Sequence, residues 1–270
     1  MLTNKKVAFV GGGAIAEAIV GGIIKAGLVS PQQITVCDIS QERREHMENK
    51  FGVSSSADAA QIAPVVDILF LTVKPQVIQS VLDSLNGVVP AATTVISVVA
   101  GTSTATLQEK LPGVAIVRVM PNTPVAVGEG MAAITLGKYA GQQSGELATM
   151  LFSAVGRTVM VAESAMDAVT GLSGSGPGYA YVMIDALADA GVRVGLPRNV
   201  ALTLAAQTLL GAARMVLETG EHPAKLRDMV TSPGGTTIAG IHVLEQSGVR
   251  AALIDAVVCA TERSREMGRH

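Results

Sequence analysis

Apolar residues in the first 160 or so positions fall into short blocks separated by glycine, proline and charged stretches, and the blocks alternate between two periods. Lys5 to Val10 reads as a short strand, and Ala14 to Ala26 repeats its apolar positions at helical spacing until Gly27, a usual helix terminator. Ile34 to Cys37 predicts a second strand, followed by a charged helix over Gln41 to Lys50 and an extended piece at Val53 to Ser55. Buried strands are predicted at Asp67 to Val73, Thr93 to Val98 and Ala115 to Val119. Pro75 opens a helix after the first of these, where its missing N–H is harmless, and Thr104 to Lys110 is a helix between the other two. Met131 to Leu136 and Arg157 to Val161 add two strands around a helix over Gln142 to Ala154. Strand and helix in strict turn predict an α/β Rossmann-type domain, with a parallel sheet covered on both faces.

The pattern changes at Ser164. Beyond it, Tyr179 to Val194, Asn199 to Glu218 and Val249 to Glu266 are helical runs rich in Ala and Leu, and little reads as strand. The chain therefore divides into residues 1–163 and an all-α domain over 164–270. These helices are apolar on more than one face, which a lone bundle cannot hide, so dimerisation through this half is expected.

Composition agrees: 49% of residues are hydrophobic and 16% charged, richer in apolar content than an average soluble domain. The longest apolar stretches, such as Val65 to Val73 and Val95 to Ala100, are far shorter than the roughly 20 residues of a membrane span, so no span is expected. The N-terminal run breaks at Gly11 to Gly13 without a cleavage site and reads as mature protein. A net charge of -2 without a basic run argues against a nucleic-acid surface. Cys37 and Cys259 match no metal or redox spacing and are expected as buried free thiols in a reducing cytosol. His46, His222, His242 and His270 show no ligand spacing, so no metal is expected.

Four motifs carry chemistry. Gly11-Gly12-Gly13-Ala14-Ile15-Ala16 fits G-x-G-x-x-A between a strand and a helix: Gly11 for a tight turn, Gly13 for close approach of a pyrophosphate, and small Ala16 for packing helix on strand. The helix start supplies N–H donors and positive dipole, so this turn predicts dinucleotide binding. At the end of the second strand stands Asp38, with Ser40, Arg43 and Arg44 behind it. An acid there suits the ribose hydroxyls of NAD, arginine the extra phosphate of NADP; alternatively Asp38 caps a turn and the arginines are a solvated helix face.

Val73-Lys74-Pro75 closes the fourth strand at the edge where open α/β sheets bind ligands, although Lys74 also reads as a plain solvent-facing residue. Met120-Pro121-Asn122-Thr123-Pro124 is a stiff loop at the same edge. Leu172 to Gly178 is a small-residue turn that either brings the two domains together around a ligand or makes a tight helix crossing. Leu226 to Thr237 is the strongest site. Its hydroxyls, paired glycines and helix start coincide, and exposed N–H groups of Gly235, Thr236 and Thr237, with Ser232, would hold a carboxylate. No paired acid and base stands out, which suits chemistry done by a cofactor.

Taken together, GGGAIA, VKP, MPNTP, GLSGSGP and LRDMVTSPGGTTIAGIHVLE, in that order from Lys5 to about Glu266, resemble pyrroline-5-carboxylate reductase. The resemblance implies reduction of 1-pyrroline-5-carboxylate to L-proline by NADPH or NADH, in the cytoplasm. It puts the cofactor on Gly11, Gly12, Gly13, Ala14, Ile15, Asp38, Val73, Lys74 and Pro75. The substrate carboxylate falls to Ser232, Gly235, Thr236 and Thr237, with the Thr237 hydroxyl toward the ring nitrogen, and Glu163 falls where the family has an acid near the substrate. Asp38 replaces the small hydroxyl residue of many members, which leaves use of both nucleotides open, and Met229 replaces an Asn of some. The resemblance further implies a homodimer paired through the helical domain, with a decamer of dimers as a larger assembly and the active site between one subunit's Rossmann half and helices that include the partner's.

Overall fold

The computed structural model describes Leu2 and residues 4–268. They pack as two compact units, one running to Gly174 and resuming at Ala260, the other spanning Ser175–Cys259. Packing therefore divides the chain later than 163/164, because residues 164–174 and the end of the last helix join the first unit.

In the first unit the elements are β1 (Val7–Val10), α1 (Ala14–Lys25), β2 (Ile34–Cys37), α2 (Gln41–Phe51), β3 (Ser54–Ser56), α3 (Ala59–Ile62), β4 (Ile68–Leu71) and α4 (Ile78–Leu85). They continue as β5 (Thr94–Ser97), α5 (Thr104–Lys110), β6 (Ala115–Pro121), β7 (Gly130–Leu136), α6 (Gln142–Ser153), β8 (Gly156–Met160) and α7 (Met166–Val169). The eight strands form one sheet in the order β3-β2-β1-β4-β5-β6-β7-β8. With β1 between β2 and β4, the strand order reverses beside the glycine turn, the crevice where doubly wound sheets bind dinucleotides.

Burial on both faces explains the unbroken apolar strands. Along β1, Val7 and Phe9 join one core with Ile19, Ile23, Phe70 and Phe152, while Ala8 and Val10 join a second with Leu69, Leu82 and Leu107. Phe9 and Phe70, register partners on β1 and β4, stack with ring centroids 4.3 Å apart. At roughly 25 cal/mol per Å² of apolar area, such aromatic burial is a main stabilising contribution of this half.

The sheet is not wholly parallel. β7 runs antiparallel to β6, and β8 then runs parallel to β7. Residues 122–129 link β6 to β7 through a single 3-10 stretch, Thr123–Val127, and a link that short has no room for the helical crossover a parallel return requires. The expected turn at Leu172 is also replaced: Thr170–Gly174 is a π-helical stretch leading to the next helix.

The second unit contains α8 (Gly176–Arg193), α9 (Arg198–Thr219), α10 (Pro223–Met229) and α11 (Thr236–Gln246), and most of α12 (Val249–Met267). The short α10 has no counterpart in the sequence reading. Among its described residues only Ala188, Ala201 and Ala205 are buried, while Tyr181, Val182, Leu204, Leu217, Leu244 and Ile254 each expose more than half their surface. Three alanines do not make a core. Cys37 is buried as expected, and burial pushes its thiol up to about 11, but Cys259 is exposed because its helix belongs to this uncovered unit. Against the expectation of no span, α9 is by length and composition apolar enough to cross a membrane, because the Thr, Gln and Gly residues along it are uncharged and interrupt its apolar positions only briefly. A helical unit with so little core takes its stability from a covering partner. Its thermal midpoint is expected to rise with protein concentration, by several degrees per tenfold, in calorimetry; an invariant midpoint contradicts this.

Candidate active site

The glycine turn is held from three sides. Gly11 adopts φ +103°, and a Cβ there would lie 2.7 Å from the Thr72 carbonyl oxygen, so only glycine fits where β1 passes β4. The Thr72 hydroxyl donates to the carbonyls of Gly11 (2.7 Å) and Val10 (2.9 Å). The Gly12 N–H donates to Asp38 Oδ2 at 2.7 Å, and Arg43 donates through Nε (2.8 Å) and Nη2 to the Gly12 carbonyl. Asp38 Oδ1 accepts the Ser40 N–H at 2.9 Å, and Arg44 Nη1 donates to the Asp38 carbonyl at 2.7 Å. Asp38 and the two arginines are thus neither a simple cap nor a solvated face; they brace the turn. Ile39, the next residue, is 94% exposed.

Past the turn, α1 begins without a side-chain cap at Gly13, and a Cβ on Gly13 would meet nothing within 4 Å. Ala16 is buried against the sheet. Uncapped first-turn N–H groups beside open space are the donors that a pyrophosphate requires, so the residues present fit a dinucleotide. Val73 is half-buried and Lys74 and Pro75 are exposed at the end of β4.

Glu163 occupies a clasp. Arg118, an arginine on β6 with a side chain only 8% exposed, donates through Nη1 to Glu163 Oε1 at 2.5 Å, and the Thr104 hydroxyl donates to Oε2 at 3.0 Å. The carboxylate's charge is already balanced within the first unit. Arg118 and Thr104 escaped the sequence reading, yet an arginine inside the apolar run of β6 is itself a signal that a buried partner exists. Nearby, Asn122 Nδ2 donates to the Ser173 carbonyl at 3.0 Å and its Oδ1 accepts the Met131 N–H at 2.8 Å, so this loop residue ties the π stretch to β7.

In the second unit, Ser232 to Gly235 forms a tight turn: the Gly235 N–H donates to the Ser232 carbonyl at 3.0 Å, with Pro233 second and Gly234 third at φ +68°. The Gly235 N–H, expected to face a ligand, is consumed by that turn. The glycine matters sterically instead, because a Cβ would collide with Ser232 Oγ. α11 then starts at Thr236 without a side-chain cap, and the N–H groups of Thr236 and Thr237 and the Thr237 hydroxyl find no acceptor among the described residues. Gly234, Gly235, Ile238 and His242 line an open hollow of about 520 Å³ beside this helix start. Met229 is 70% exposed. Among the described residues no group of three His, Cys, Asp or Glu stands close enough to hold a metal; His270 lies outside the described residues.

Residues 163–267 match the family described as pyrroline-5-carboxylate reductase dimerisation, and residues 6–101 the family described as NADP oxidoreductase, coenzyme F420-dependent. A pyrroline-5-carboxylate reductase of Methanosarcina acetivorans is 48% identical over 99% of this chain and 100% of its own. Among solved structures, a pyrroline-5-carboxylate reductase from Coxiella burnetii superposes with TM-score 0.92 at 36% identity, covering 97% of this chain and 98% of that one. The pyrroline carboxylate reductase of Plasmodium falciparum, solved with NADP bound, superposes at 0.87 and 30% identity, covering 98% of each chain.

The Glu163 clasp generates a direct expectation. Glu163→Gln deprives a buried guanidinium of its counter-charge and lowers stability by about 1–3 kcal/mol in denaturant titration at fixed protein concentration; no change means that Arg118 is satisfied without it.

Proposed function

The chain belongs to the pyrroline-5-carboxylate reductase family, and from that premise we propose how its residues divide the work. The reaction is reduction of 1-pyrroline-5-carboxylate to L-proline, the last step of proline biosynthesis, with NADPH or NADH as reductant and a homodimer as the working form. In this reading residues 1–163 hold the dinucleotide and residues 164–270 hold the substrate and pair the subunits. We place the protein in the cytoplasm, with a second copy rather than lipid against α9 and with a decamer of dimers as its larger assembly.

The pyrophosphate belongs to the turn and helix start at Gly11, Gly12, Gly13, Ala14 and Ile15, the adenosine ribose to Asp38, and Val73, Lys74 and Pro75 line the cofactor's passage along the end of β4. When bound, NAD(P)H would supply the hydride that adds to the C=N carbon, turning the ring CH=N into CH2–NH. The substrate carboxylate is received by the N–H groups of Thr236 and Thr237, beside the Ser232 hydroxyl, which fills the place a Cβ on residue 235 would take. The single observation that carries this is the pair of acceptor-less N–H groups at the start of α11, which no side chain caps. From the same turn of helix the Thr237 hydroxyl hydrogen-bonds the ring nitrogen, which carries a proton during transfer so that its carbon is electrophilic; the proton stays to make the product amine. Glu163 serves by position, fixing α5 to β6 through Thr104 and Arg118, rather than by offering a free charge to the substrate.

Oxidation of NAD(P)H dependent on added 1-pyrroline-5-carboxylate is the test of the reaction. Thr237→Ala is expected to lower kcat/KM by about 10- to 100-fold while the cofactor dissociation constant, read from nicotinamide fluorescence, stays within about twofold. Parallel loss of both places Thr237 wrongly, and no substrate-dependent oxidation overturns the reading.

A further inference from the structure

Beside the cofactor turn lies a charge cluster that none of the steps above uses. Glu17, in the first turn of α1, gathers three basic side chains of α2: Arg43 Nη2 at 2.7 Å from Oε2, and Lys50 Nζ at 2.8 Å and His46 Nε2 at 3.1 Å from Oε1. The Glu17 side chain is 22% exposed and that of Arg43 33%. Lys50 first and Arg43 second hold the Glu17 carboxyl well below the usual carboxylate range, at about 2. The pair is therefore ionised at any pH where the enzyme works.

Arg43 is the guanidinium that a dinucleotide's ribose phosphate would require. Its Nε and Nη2 are committed to the Gly12 carbonyl and to Glu17, so its planar fork is turned onto the protein's own backbone and an acid. Arg44 is anchored through Nη1 to the Asp38 and Ile39 carbonyls. Asp38 differs. Each of its oxygens accepts one N–H, from Gly12 and from Ser40, and a carboxylate oxygen has a second lone pair, which a ribose hydroxyl fills and a phosphate repels. The end of β2 is thus arranged for hydroxyls: an acid stands there, and the nearest guanidinium is paired with a second acid, which Lys50 and His46 also share.

We propose that Glu17 is a specificity-determining residue: by holding Arg43 against the glycine turn it withholds that cation from a 2′-phosphate, and with Asp38 it makes this reductase select NADH over NADPH. The proposal rests on the assignment of the glycine turn and Asp38 to the cofactor. Glu17 touches neither cofactor nor substrate; it acts through Arg43.

Dissociation constants of NADH and NADPH are measured on the purified full-length protein by nicotinamide fluorescence, without substrate. The wild type is expected to bind NADH about tenfold or more tighter, since the Asp38 carboxylate repels a phosphate set beside it. Glu17→Ala and Glu17→Gln are both expected to shrink the NADPH-to-NADH ratio about tenfold, and Asp38→Ser to shrink it as well. Adding Arg43→Ala to Glu17→Ala is expected to restore most of the ratio, which a merely structural role for Glu17 would not do. Equal or tighter NADPH binding by the wild type overturns the proposal, as does an unchanged ratio in both Glu17 variants, or a ratio in the double variant no different from that of Glu17→Ala. Selective NADH binding without turnover of 1-pyrroline-5-carboxylate supports it while counting against the assigned reaction; failure to bind either nucleotide overturns the cofactor site itself.

Discussion

Where β1 ends, the backbone at Gly11 passes so near the Thr72 carbonyl that a methyl group would not fit, and the first half of the protein is organised around that approach. It brings the β4 end against the turn, lets Thr72 close the gap by hydrogen bonds, and aims the start of α1 at the reversal point of the sheet. Asp38 and Arg43, from the end of β2 and from α2, then grip the N–H and carbonyl of Gly12. Electrostatics and sterics cooperate here. The turn is held in shape by the protein's own groups.

The helical half works on the opposite principle. Its own buried residues amount to a few alanines, and its large apolar side chains face outward, so its packing is completed by another copy of the chain. Small residues along α8 and α9 let those two helices approach closely, as where a Cβ on Gly191 would fall 2.7 Å from the Ala201 methyl. Such a unit places its helix starts accurately only when assembled, which ties the position of the α11 start to dimerisation.

Much of this was readable from residue order. Strands β1 and β4 are apolar on consecutive positions because both faces are buried, and glycine and proline punctuate the blocks, so elements and their alternation follow from pattern. Strand direction does not. β7 is antiparallel to β6 because the link is too short for a crossover, a geometric consequence that periodicity cannot express. Partnerships across long sequence separation were equally hidden: Gly12 with Asp38, Arg118 with Glu163, and Arg43 with Glu17 arise only once sheet order sets neighbours. At Ser232 to Gly235 the order was legible in principle, since Pro then Gly signals a tight turn, and that turn takes the Gly235 N–H out of the donor set.

The central claim is that this scaffold directs a hydride onto the C=N carbon of a cyclic imino acid held by its carboxylate. Reduction of 1-pyrroline-5-carboxylate with nicotinamide cofactor carrying deuterium at the transferring position, followed by mass spectrometry and NMR of the product, tests it most directly. The account predicts L-proline with one deuterium on the ring carbon that was double-bonded to nitrogen. Proline without label, or label at any other carbon, contradicts it.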